Sequence, residues 1–112
     1  MNARIVMLSV VVTLLGVASM SSSQDPPGKK LFLDAKCNGC HSVESQGIEA
    51  VRDNSKAPDM SNAGTELPSP EWAKKFVTRE EAKDGKKHQR PWKGSDKELS
   101  QIVDWLMTLK IS

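Results

Sequence analysis

The stretch Cys37-Asn38-Gly39-Cys40-His41 decides how this chain folds, because it holds two thiols and an imidazole within one short turn of chain. The pattern C-x-x-C-H is the sequence signature of covalent haem attachment. Two thiols three residues apart on a tight helical turn can each add to one vinyl group of the same porphyrin. The next residue then projects its imidazole at the iron, and Asn38 and Gly39 are small enough to let the porphyrin edge come close.

Two other uses of these thiols compete with haem attachment. A redox-active dithiol of the thioredoxin type usually lies at the start of a helix that follows a strand, and no strand pattern precedes Cys37. A structural zinc site normally needs four ligands, and the only further histidine or cysteine in the chain is His88. The motif therefore favours one covalently bound haem c, attached through Cys37 and Cys40, with His41 as an iron ligand.

Residues 1–23 have the layout of a secretory signal peptide. Arg4 gives a positive lead, an apolar run extends from Ile5 to Ala18, and the small residues Ser19 to Ser23 follow. The apolar run is short of the roughly 20 residues that cross a bilayer. We expect cleavage near Ser23, a single domain over residues 24–112, and no stable membrane span after cleavage. The expected location is the periplasm or another compartment outside the cytoplasm, where c-type haem is attached.

Composition and charge restrict the possible functions. The chain has 112 residues, two Phe, three Trp and no Tyr, so the predicted domain is poor in core side chains and a haem would supply an apolar centre. The net charge of +2 is not that of a nucleic-acid-binding protein. Basic residues are nevertheless concentrated near the cysteines and over residues 83–93. They form either a solvated surface or a patch that steers an acidic redox partner.

Helical patterns occupy the two flanks of the motif, and no segment has a strand pattern. A first helix is predicted from Gly28 up to the cysteines, after the stop Asp25-Pro26-Pro27. Residues 42–69 contain many turn residues and are predicted to be irregular. A second helix is predicted to begin at Ser69-Pro70, with serine as the N-cap and proline in the first turn, and to fade near Ala82.

The last helix has the clearest pattern. Ser95 and Glu98 form a capping box. After the cap, apolar residues recur three and four apart on one face, at Leu99, Ile102, Val103, Leu106 and Leu109. The sequence thus predicts an all-α fold of three to four helices.

The chain resembles the class I monohaem cytochromes c over nearly all of residues 24–112. The resemblance lies in Gly28 and Phe32 on the first helix, the attachment motif, the segment Lys56-Ala57-Pro58-Asp59-Met60, and the pair Ile102 and Trp105 on the last helix. It implies a small cytochrome c fold wrapped around one haem, with Gly28 against the last helix and Phe32 packed edge to face on Trp105. It also implies that the carbonyl of Pro58 accepts the N–H of His41 and that Met60 is an apolar neighbour of the porphyrin.

The sequence departs from the family at the sixth iron ligand, which is usually a methionine in the loop before the last helix. That loop, residues 85–94, contains no methionine but does contain His88. Met60 and an open or water-bound site are the alternatives. Met107 is interpreted as a packing residue and Met20 as part of the signal segment. We expect His88 to complete a bis-histidine site of low potential, because two imidazoles favour ferric iron more than methionine does.

An electron-transfer protein that docks its haem edge on redox partner proteins is therefore the leading hypothesis. A haem-based binder of diatomic gases and a small cytochrome subunit of a larger oxidoreductase are the alternatives. The acidic residues Asp59, Glu66 and Glu71 have no evident acid–base partner and are interpreted as loop or helix-start charges. We accordingly do not expect an enzyme.

Overall fold

The computed structural model describes residues 25–52 and 56–111. The predicted signal peptide, residues 1–23, lies outside them, and its cleavage stays a prediction. The elements are α1 (Pro27–Asp34), a 3₁₀ turn (Cys37–Gly39), a second 3₁₀ turn (Glu44–Gln46), α2 (Ala63–Glu66), α3 (Pro70–Val77) and α4 (Asp96–Met107). Extended pairing within the described ranges is limited to two isolated bridges, so the predicted all-α class is confirmed. Within the same ranges, no helix has the length and apolar character that a membrane span requires.

The crossing of α1 and α4 forms the main core. Gly28 is buried where the two helices meet. An ideal Cβ on it would lie 2.2 Å from the carbonyl oxygen of Gln101, so the lack of a side chain is what allows the close approach. One turn later, the rings of Phe32 and Trp105 meet edge to face, with centroids 5.4 Å apart and planes at 65°. The predicted crossing and aromatic pair are both confirmed.

Helix α3 packs on the other side of α4. Ala73 of α3 is buried against Leu99 and Val103 of α4. The predicted start of α3 is confirmed, because the Ser69 hydroxyl accepts the N–H of Trp72 at 3.0 Å. The two helices form a rigid support for the loop that joins them.

The predicted end of α3 near Ala82 is wrong, since the helix ends at Val77. Arg79 adopts a left-handed conformation with φ 69°. The N–H of Glu80 then reaches back to the Lys75 carbonyl at 2.7 Å, which is the bond of a Schellman end. A tight turn at Asp84 and Gly85, both with positive φ, sends the chain back toward the helices.

The described parts of this segment, residues 42–52 and 56–69, are more ordered than predicted. Val43 and Ile48 are buried and form one of the isolated bridges. Gly64 of α2 lies against the end of α4, where its N–H donates to the Leu109 carbonyl at 2.8 Å. Helix α2 therefore fixes the far end of this segment to α4, and the described parts of the segment cover one side of the core.

Candidate functional site

The attachment motif forms a compact turn at the end of α1. Lys36 adopts a left-handed conformation with φ 63°, which stops α1 and starts the 3₁₀ turn at Cys37. The N–H of His41 donates to the Cys37 carbonyl at 3.0 Å, so the histidine follows directly on the turn. Both cysteine side chains are half-buried, and the turn presents the two thiols and the imidazole from one short segment.

The backbone of Val51 and Arg52 forms hydrogen bonds to this turn. The N–H of Val51 donates to the Asn38 carbonyl at 2.8 Å, and the N–H of Arg52 donates to the Gly39 carbonyl at 3.1 Å. The two carbonyls belong to the residues between the cysteines. These bonds hold the middle of the motif in place through its backbone and do not involve the side chains of its cysteines and histidine.

His41 has the backbone partner that the resemblance implies. Its Nδ1–H donates to the Pro58 carbonyl at 2.8 Å. This bond fixes the tautomer in which Nε2 carries the lone pair, and it orients the ring as partners of metal-binding histidines do. Burial lowers the pKa of His41, the bond to Pro58 opposes that decrease and the nearby His88 adds to it. A neutral imidazole is the form that binds a metal.

Asp59 fastens the Pro58 loop to the segment that follows His41. Its Oδ1 accepts the Ser42 hydroxyl at 2.7 Å and the N–H of Glu44 at 2.8 Å. Its Oδ2 accepts the N–H of Ser61 at 3.0 Å. Burial alone would raise the pKa of Asp59, but the hydrogen bonds from Ser42, Glu44 and Ser61 lower it from 3.8 to about 2. Asp59 is a charged loop residue, as interpreted from the sequence, but its carboxylate also joins two segments around the histidine.

His88 lies opposite His41. The centroids of the two imidazole rings are 6.2 Å apart, and their planes differ by only 7°. The Nδ1–H of His88 donates to the Arg90 carbonyl at 2.6 Å, so the neutral tautomer that this bond favours is again the one with the lone pair on Nε2. The two histidines thus combine the same tautomer with nearly parallel planes.

The two methionines within reach of the core have packing environments. Met60 is half-buried and packs against the core cluster that contains Phe32 and Trp105. Met107 packs against the smaller cluster between α3 and α4. The N–H of Met60 donates to the Ser42 carbonyl at 2.8 Å, so its backbone takes part in the same loop contacts as Asp59. Both environments agree with the interpretation of these side chains as apolar packing residues.

Arg90 brings positive charge to the attachment turn. An ideal Cβ on Gly39 would lie 4.0 Å from a guanidinium nitrogen of Arg90. Burial raises the pKa of the Cys37 thiol, and the charge of Arg90 partly opposes the increase. The loop that carries His88 therefore also places a cation beside the cysteines. The basic run over residues 83–93 marks this loop in the sequence, but nothing in that run singles out Arg90.

Sequence reasoning missed Phe76, which contacts His88. The ring centroids of Phe76 and His88 are 5.4 Å apart and the planes are at 78°. Trp72 and Phe76 are four residues apart in the sequence, a spacing that places them on one side of a helix, and their rings stack at 5.1 Å. That spacing predicts a buried helix face. It gives no sign that His88, twelve residues after Phe76, packs against that face.

Comparisons with known proteins place these features in a family. The family model described as Cytochrome c matches residues 26–110. No curated protein and no solved structure gives a significant match. The match covers most of the chain and includes the attachment turn, the Pro58 loop and the helices α1 to α4 of the described residues.

Proposed function

The chain belongs to the cytochrome c family, and we propose that it is a one-electron carrier whose single haem c is held between His41 and His88. Haem c is bound covalently in this family, and Cys37 and Cys40 fit the attachment motif. When bound, the group supplies an iron that changes reversibly between the ferrous and ferric states. Members of the family use this change for electron transfer, and they exchange electrons with redox partner proteins.

The single observation that carries the bis-histidine proposal is the geometry of the two imidazoles. Two imidazoles that bind one metal from opposite sides have ring centroids about 6.2 Å apart, given metal–nitrogen bonds of about 2.0 Å and about 1.1 Å from each nitrogen to its ring centre. The centroids of His41 and His88 are 6.2 Å apart. Each ring also has its Nδ1 bonded to a carbonyl, that of Pro58 or that of Arg90. The separation of the ring centres and the tautomer that each carbonyl bond favours are therefore compatible with one metal ion between the rings.

Two imidazoles imply a low reduction potential within the family. Methionine opposite histidine raises the potential of a haem, and a second imidazole favours the ferric state by comparison. The bond from His41 to the Pro58 carbonyl increases the donor strength of the first ligand, and the bond from His88 to the Arg90 carbonyl does the same for the second. The two ligands and their carbonyl partners thus act in the direction of a low-potential carrier.

Basic side chains beside the attachment turn suit an acidic redox partner. The guanidinium of Arg90 lies about 4.0 Å from where a Cβ on Gly39 would be, and Lys83 and Lys86 flank the tight turn of the same loop. Exposed charges of one sign accelerate encounter with a partner of opposite sign and are screened by salt. Small interfaces of this kind release quickly, as a carrier requires. We place this exchange outside the cytoplasm, as the signal-like residues 1–23 indicate.

Absorption spectra of the matured haem protein test the ligand assignment. We expect His88→Ala to lose the low-spin ferric spectrum and to bind carbon monoxide rapidly when reduced, because one iron position opens. His88→Met should raise the reduction potential. The control Met60→Leu should leave the ferric spectrum and the potential nearly unchanged, because Met60 is a packing residue.

Two results contradict this proposal and point to its rivals. A methionine-to-iron band in the oxidised wild type that disappears in Met60→Leu would assign the sixth position to Met60. Rapid carbon monoxide binding by the reduced wild type would instead indicate an open or easily vacated position, as in a haem-based gas binder. A wild type that binds the gas slowly, with His88→Ala binding it quickly, supports the carrier.

A further inference from the structure

Phe76 connects the imidazole of His88 to the helical framework. The rings of Phe76 and His88 meet at a centroid distance of 5.4 Å with planes at 78°, the edge-to-face arrangement that aromatic pairs favour. Phe76 is on α3, so its position is set by a helix and not by the loop that carries His88. The contact therefore joins the exposed loop that carries His88 to a helix.

Phe76 is in turn supported by a stacking contact with Trp72. The rings of Trp72 and Phe76 lie one helical turn apart and stack, with centroids 5.1 Å apart and planes within 7°. Trp72 packs against the cluster formed by Ala73, Leu99 and Val103 between α3 and α4. A row of three rings thus runs from the core between these helices to the imidazole of His88.

The hydrogen bond of His88 does not perform this positioning. Its Nδ1 bonds to the carbonyl of Arg90, only two residues away in the same loop. Such a bond fixes the tautomer of the ring, but it moves with the loop and does not set the place of the ring relative to His41. His41 differs in this respect, because its carbonyl partner, Pro58, belongs to a separate segment that Asp59 fastens in place.

We propose that Phe76 is a positioning residue of the haem site, which holds the imidazole plane of His88 parallel to that of His41 and delays its departure from the iron. This inference rests on the proposed bis-histidine ligation and extends it to Phe76, a residue of α3 that is not one of the proposed ligands. It has two separate consequences. The angle between the two imidazole planes determines the g-values of the ferric low-spin signal, and the retention of His88 determines how fast an external ligand reaches ferrous iron.

Phe76→Leu tests both consequences in the intact haem protein. Leucine keeps an apolar side chain on α3 but removes the ring that faces His88. We expect carbon monoxide to bind the reduced variant roughly two to ten times faster than the wild type, which is the range that an edge-to-face aromatic pair contributes to an equilibrium. We also expect altered g-values in the electron paramagnetic resonance spectrum. Phe76→Tyr retains the ring and should restore both wild-type properties.

Val77→Ala is the matched control for a loss of stability alone. Val77 is the next residue of α3 and packs against the cluster between α3 and α4. Its truncation should lower the free energy of unfolding without changing the g-values or the rate of carbon monoxide binding. If Val77→Ala changes these two properties as Phe76→Leu does, the effect belongs to the packing of α3 as a whole and the proposal is wrong.

The outcome also separates this inference from the ligand assignment. A wild type without a bis-imidazole spectrum overturns both. A bis-imidazole wild type whose g-values and gas-binding rate persist in Phe76→Leu overturns only the role of Phe76.

Discussion

Replacing Gly28 with alanine tests the helix crossing on which the haem site is built. An added Cβ would lie 2.2 Å from the carbonyl oxygen of Gln101 and 2.4 Å from the Cβ of Trp105. Both atoms belong to the α4 backbone or are attached directly to it, so no side-chain rotation relieves the contact. Helix α1 must therefore move away from α4, and this also separates Phe32 from Trp105.

The expected cost follows from three contributions. Overpacking a well-packed core costs about 1–3 kcal/mol, and the contacts here fall at the upper end because backbone must move. Weakening the pair of Phe32 and Trp105 adds up to about 1 kcal/mol. Against these, alanine in place of glycine in a helix favours folding by about 1 kcal/mol. The net expected loss is about 2–3 kcal/mol in the free energy of unfolding.

Urea denaturation of the haem protein, followed by far-ultraviolet circular dichroism, measures this loss. Gly47→Ala is the control, because Gly47 has a positive φ of 72° but nothing within 4 Å of an added Cβ. Left-handed alanine there should cost about 1 kcal/mol, without an effect on helix packing. The reasoning is refuted if Gly28→Ala loses no more stability than Gly47→Ala.

Two further predictions concern stability. The pKa of Asp59 is about 2 in the folded protein, below its ordinary 3.8, so its carboxylate stabilises the fold above pH 4 and this contribution is lost as the pH falls through about 2. Asp59→Asn should therefore be less stable than the wild type at pH 7, by ~1 kcal/mol after allowance for solvent screening, and the two should converge in acid unfolding curves near pH 2. Asp104→Asn is the exposed control, and a constant difference between Asp59→Asn and the wild type at every pH would count against the argument. Ser95→Ala should cost about 1 kcal/mol in thermal or urea unfolding through loss of the α4 cap, whereas wild-type stability in this variant would show that the capping box contributes nothing.

The parts of the fold that the sequence predicts well are those determined by local interactions. The start of α4 is one of them, since Ser95 and Glu98 cap it through bonds between near neighbours. The early end of α3 at Val77 is not determined by such local interactions. The residues after Val77 include good helix formers, and the helix stops because Arg79 takes a left-handed conformation that its residue type does not announce.

The residues of the candidate site also differ in whether the sequence identifies them. The attachment motif and His88 are identifiable from residue type and spacing, and the bond between His41 and Pro58 is implied by the family resemblance. The role of Asp59 is not identifiable, because its partners Ser42 and Glu44 are distant in the sequence and become neighbours only in the fold. A lone aspartate in a loop has no pattern that distinguishes a hydrogen-bonding centre from a solvated charge.

The early end of α3 and the position of His88 are linked through one loop. The N–H of Trp92 donates to the Val77 carbonyl at 3.2 Å, so the chain returns to the C-terminal end of α3. Residues 78–91 therefore form a loop whose two ends are joined by a hydrogen bond. The Trp92 indole N–H also donates to the Ser95 carbonyl at 3.0 Å, which joins the loop to the cap of α4. A loop closed in this way can open locally while the helices stay folded. The release of His88 from the iron should therefore depend on the local stability of this loop, and on the contact with Phe76, more than on the stability of the whole domain.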